Sequence, residues 1–165
     1  MKYFFICGLL LIHVLSNGQK KYGIVNLYAF CSEQGRGNIP VDKDGNPMYN
    51  GPDTLYRVYV ETKKSADPIH WKLAWVNGRT YTLAGKFIVT TALEIGFTKI
   101  NHEKIILKTV AGNILWNLQL LTNERTIALP QKTQPGEILM QGIYKNKNIL
   151  LKIDKLIVLQ LPPVQ

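Results

Sequence analysis

Five oxygen-bearing side chains between positions 42 and 53 have the spacing of a metal loop. Counted from Asp42 as the first position, Asp44, Asn46, Asn50 and Asp53 occupy the third, fifth, ninth and twelfth. Those are ligand positions in a helix–loop–helix calcium site. The match breaks where such a loop turns, because Pro47 stands where glycine is required. Asp53 is also a shorter arm than the glutamate usual at the twelfth position. The competing reading is a turn: Asp-Gly-Asn-Pro favours tight turns through its backbone and its side-chain acceptors.

Other chemistries lack their residues. Beyond position 18 there are two serines (Ser32, Ser65), two histidines (His70, His102) and one cysteine (Cys31). No Gly-x-Ser-x-Gly elbow is present, and these few residues show no zinc-ligand spacing. Gly35-Arg36-Gly37 lacks the Gly-Lys-Ser/Thr ending and following helix of a phosphate loop. The glutamates are scattered along the chain. The reading is therefore non-enzymatic, with no cofactor.

Binding is the chemistry that remains. Tyr49 and Tyr59 are candidate aromatic contacts, and Arg57, Lys145 and Lys147 are candidate cations for an anionic ligand. Tyr59 is expected on an exposed polar face with Arg57 and Glu61. Trp71 and Trp75 alternate with Ile69 and Leu73, so all four are expected on one buried face. Cys31 lies among Leu27, Ala29 and Phe30 and reads as a buried thiol.

The start of the chain sets the compartment in which these residues would act. Lys2, an apolar run from Tyr3 to Leu15, and the small residues Ser16 to Gly18 match a secretory signal peptide, with cleavage expected before Gln19. Removing 18 of the 165 residues leaves 147, the size of one domain. The formal charge of +9 becomes +8 without Lys2. A single remaining cysteine leaves no disulfide partner within the mature chain, and no Asn-x-Ser/Thr acceptor occurs. Both features fit a bacterial envelope protein, periplasmic or extracellular. The partners expected there are an anionic glycan, a lipid headgroup or another envelope protein, and nucleic acid is excluded by location.

The elements that must position these residues are strands. Short runs rich in β-branched and aromatic residues recur between Gly, Asn, Asp and Pro, the pattern of an all-β sandwich or barrel. The expected fold is a single-domain antiparallel β-sandwich over residues 19–165, with a partly open β-barrel as the alternative and a long loop at 33–53. Runs at 22–32, 54–62, 69–76, 80–83, 87–95, 104–110, 114–121, 137–144 and 148–161 are the strand candidates. Hairpins are expected at Asn77-Gly78, at Ala111-Gly112-Asn113 and at Lys145-Asn146-Lys147. Lys155, a lone charge among apolar odd positions of the last run, marks an expected bend.

The function expected from this pattern is a non-enzymatic binding or structural module. Two alternatives accompany it. One is a carbohydrate-binding or glycan-processing domain, and the other is an assembly subunit that adds its apolar C-terminal run to a sheet edge.

Overall fold

Alternation along Asp53–Thr62 sends Tyr56, Val58 and Val60 to one side and Arg57, Tyr59 and Glu61 to the other. That alternation sets the architecture seen in a computed structural model, which describes residues 21–34, 41–46, 53–123 and 125–160. Ten strands account for nearly all its regular structure: β1 (Ile24–Gln34), β2 (Asp53–Thr62), β3 (His70–Val76), β4 (Arg79–Ile88), β5 (Ala92–Phe97), β6 (Lys104–Lys108), β7 (Ile114–Thr122), β8 (Ile138–Tyr144), β9 (Lys147–Ile153) and β10 (Leu156–Val158). No helix among the described residues is long and apolar enough to cross a membrane.

Eight strands form one sheet in the order β10-β1-β2-β7-β4-β3-β8-β9, and β5 pairs with β6 in a separate ribbon. The eight are thus hydrogen-bonded together rather than divided between two stacked sheets. All described pairings in the large sheet are antiparallel except β1 with β10, so the sheet is mixed.

Chain connectivity forces this sheet to curl. Its two edge strands, β9 and β10, are consecutive, and only Asp154 and Lys155 separate Ile153 from Leu156. Three residue steps reach at most about 11 Å. A flat sheet would hold its first and eighth strands roughly 34 Å apart. The result is a half-barrel, and the break at Asp154–Lys155, where a bend was expected, is where the chain steps from one edge to the other.

The concave side holds the main core. Ala29, Val58, Leu118, Leu83, Ala74, Met140 and Leu151 come from seven successive strands and join one buried cluster. Gly85 lies on this side, where a Cβ would collide with Leu118 Cδ2, so glycine lets the leucine fold across β4.

Two sequence expectations fail on topology. Phe87 to Ile95 is not one strand: β4 ends at Ile88 and β5 begins at Ala92. The runs around Ala111-Gly112-Asn113 do not form a hairpin, because β6 pairs with β5 while β7 lies between β2 and β4. Local turn chemistry could not reveal that β5 and β6 fold back as an independent ribbon. The other two hairpins form, with left-handed backbone at Asn77 and Gly78 and at Lys145 and Asn146.

Candidate functional site

The convex face of the sheet carries two covers. The β5–β6 ribbon and the C-terminal segment lie over β1, β2 and the start of β7, where Phe30, Tyr59, Leu107, Leu115 and Leu159 form a second buried cluster. Gln160 N donates to Phe97 O at 2.8 Å and Lys99 N to Val158 O at 2.9 Å, tying the ribbon to the chain end. The second cover is the connection after β7. Ile127 O accepts from Trp75 Nε1 and from Thr80 Oγ1, each at 3.1 Å, and Ile127 N donates back to Thr80 Oγ1.

That second cover corrects the expected tryptophan face. The register shifts between Trp71 and Leu73, so one residue of slip reverses the faces along β3. Trp71 packs against the concave core and is half-buried, whereas Trp75 is fully buried on the convex side.

Between the covers runs an uncovered strip of β2, β7 and β4. Register places Arg57 beside Gln119, Gln119 beside Ala84, and Asn117 beside Lys86. These five side chains and Gly85 line a shallow trough of about 520 Å³. Ala84 keeps the floor low, and neighbouring strands set the lining groups about 4.8 Å apart. Two cations and two amides face the trough, and none of its lining residues is acidic. Such a set can bind a carboxylate or sulfate through the cations and hydroxyls through the amides. Lys86, Asn117 and Gln119 were not picked out from the sequence, although polar residues at 117 and 119 alternate with Trp116, Leu118 and Leu120.

Arg57, Tyr59 and Glu61 share the convex face of β2 but not one environment. Arg57 is exposed. Tyr59 is 4 % exposed, with its ring edge-on to Phe30 at 5.8 Å between centroids. The expectation of an exposed Tyr59 is thus corrected: the ribbon covers it. Burial raises its phenol pKa, and the positive charge of nearby Arg57, followed by a hydrogen bond with it, opposes that shift. Glu61, also expected to be exposed, is completely buried. Its Oε1 accepts from Val110 N at 2.9 Å and Asn113 Nδ2 at 2.6 Å, and its Oε2 accepts from Asn26 Nδ2 at 2.5 Å. These bonds satisfy the carboxylate and clamp the 110–113 turn onto β1 and β2. Its lack of access to solvent fits a structural role.

The remaining candidates lie apart from the trough. Lys145 pairs with Asp67 at 2.9 Å and sits 5.6 Å from the Tyr144 ring centroid. The hydrogen bond from Lys145 lowers the Asp67 pKa, and the same bond raises that of Lys145. Lys147 is exposed at the start of β9. Asp42 accepts from the backbone N of Asp44 and of Asn46, both at 2.9 Å, and these bonds hold its carboxyl below the usual range, Asn46 contributing most. The carboxylate therefore closes its own turn with Asp44 and Asn46. Asp53 begins β2 opposite Gln34. Tyr49 and Asn50 lie outside the described residues. Among the described residues no cluster of three or more His, Cys, Asp or Glu could hold a metal ion. Cys31 is buried, and that burial is the main cause of its raised thiol pKa. The apolar C-terminal run is paired in parallel with β1 through β10.

No protein-family model, no curated protein and no solved structure matches the chain.

Proposed function

We propose that this chain is an exported bacterial envelope protein that acts as a non-enzymatic binding module, and that its trough takes an anionic glycan. Export rests on the charged, apolar and small-residue pattern of residues 1–18. The observation that carries the ligand class is the trough lining: Arg57 and Lys86 with Asn117 and Gln119, and no carboxylate to repel an acidic sugar. A sheet face spaces these groups over more than one sugar ring. The completely buried Glu61 gives no accessible acid or base beside them, which favours binding over glycan cleavage.

Titration calorimetry with polygalacturonate against uncharged dextran tests the reading. Binding is expected for the acidic polymer only, weakening with salt, and falling roughly tenfold or more in Arg57→Ala/Lys86→Ala, because charge-assisted hydrogen bonds are the strong ones. Equal binding of both polymers, or an unaffected double variant, refutes it.

A further inference from the structure

At one end of the sheet, large apolar side chains stand in solvent around a single cleft. Phe87 is 62 % exposed, Val89 82 % and Val110 60 %. All three line a cleft of about 440 Å³, together with Lys64. Apolar residues scattered singly over a surface need no explanation, but three around one opening mark an interaction surface. A neighbouring cleft of about 470 Å³ shares Lys64 and Val110 and adds Lys63. None of the residues lining either cleft is acidic, and among the described residues neither Lys63 nor Lys64 makes an ion pair.

The backbone beneath these side chains is fixed from several directions. Glu61 holds Val110 N and the Asn113 amide. Thr109 N donates to Thr91 O at 3.0 Å, and Thr109 Oγ1 donates to Thr90 O. Lys63 N donates to Gly23 O at 2.9 Å. Phe87 rests edge-on against Trp116 at 6.0 Å between ring centroids. The turns are thus tied so that their apolar side chains stay presented.

We propose that this end of the sheet, formed by the turns at 63–66, 89–91 and 109–113, docks on an anionic phospholipid bilayer. Phe87, Val89 and Val110 enter the boundary between headgroups and acyl chains, while Lys63 and Lys64 meet lipid phosphates. Charge complementarity selects this occupant. An apolar tip flanked by the Lys63 and Lys64 ammonium groups, with no acidic residue lining either cleft, matches the layering of an anionic membrane, apolar below and negative at the surface. The surface is independent of the trough, because Phe87 points to the concave side of β4 and Lys86 to the convex side.

The test is co-sedimentation of the chain from Gln19, which keeps every strand, with vesicles of phosphatidylcholine alone or with a quarter phosphatidylglycerol. Binding to the anionic vesicles is expected to exceed that to neutral ones by roughly tenfold or more, the scale set by two lysines near the surface. Val89→Asp and, as a milder change, Val89→Ser should lower it without altering tryptophan fluorescence. Lys63→Glu/Lys64→Glu should abolish the preference for anionic lipid, and Arg57→Ala/Lys86→Ala should leave it intact. Three results would overturn the proposal: equal binding to both vesicle types, binding that survives both Val89 variants, or binding lost only with Arg57 and Lys86. A concentration-dependent dimer that Val89→Asp dissociates would also overturn it, by making the patch a protein interface.

Discussion

The covered and bare halves of the convex face differ in what lies above them more than in what they are made of. Tyr59 and Glu61 are polar residues on the same side of the same strand as Arg57, yet they are buried and Arg57 is exposed. The β5–β6 ribbon over Tyr59, and the 110–113 turn that follows it over Glu61, make the difference. Where they lie, a tyrosine packs as a hydrophobe and a glutamate becomes a three-bond clamp; where they end, the sheet presents its polar groups to solvent. Burial is thus assigned by a neighbour distant in sequence, and the same alternation yields either a core or a solvated polar surface.

The largest expected effect sharpens this contrast under the other cover. Trp75→Ala empties a fully buried site and removes one of the two hydrogen bonds to the Ile127 carbonyl, so it should cost roughly 3–5 kcal/mol. Trp71→Ala, at a half-buried site, should cost clearly less. Urea unfolding of the two variants measures the gap, and equal losses would contradict the register slip that separates the two rings.

Glu61→Ala comes next. Removing the carboxylate leaves Val110 N and the amides of Asn26 and Asn113 without their acceptor, a loss of roughly 3 kcal/mol. Glu61→Gln keeps the shape but turns one acceptor into a donor facing a donor, so it should fall between Ala and wild type. Faster hydrogen exchange at the Val110 amide in Glu61→Ala, with Arg57→Ala unchanged there, would separate the clamped half from the bare one. A Glu61→Ala protein of wild-type stability would break the comparison.

The smallest effect lies on the margin of the second cover. The backbone N–H of Gln134 is the main cause of the lowered Glu137 pKa, and Lys152, 2.8 Å away, adds to it. A carboxyl with a lowered folded-state pKa contributes stability that is present above its unfolded value, 4.5 here, and is lost as pH falls through the folded value. Thermal unfolding should therefore show a modest acid destabilisation below that pH, which Glu137→Gln reduces. An identical acid slope in wild type and variant would remove Glu137 from the account.

Local structure was legible where one strand decided it. The alternation of β2, the Asn77-Gly78 and Lys145-Asn146 turns, the break near Lys155 and the buried Cys31 follow from period, turn residues and composition. Arg57 was legible as a polar residue of a half-buried strand. Its partners Lys86, Asn117 and Gln119 were not, because three strands far apart in sequence meet only through the order β2-β7-β4. The ribbon, the slip at Trp71 and the buried state of Tyr59 and Glu61 were hidden for the same reason.

By itself, then, the sequence determined an all-β chain, the faces of its regular strands and its two tight hairpins, since these depend on backbone preferences and on neighbours one or two residues away. Only the tertiary structure decided that eight strands form one curled sheet and that Glu61 is a clamp. It alone left a strip of that sheet bare, because which face is covered depends on the packing of segments that the local pattern does not connect.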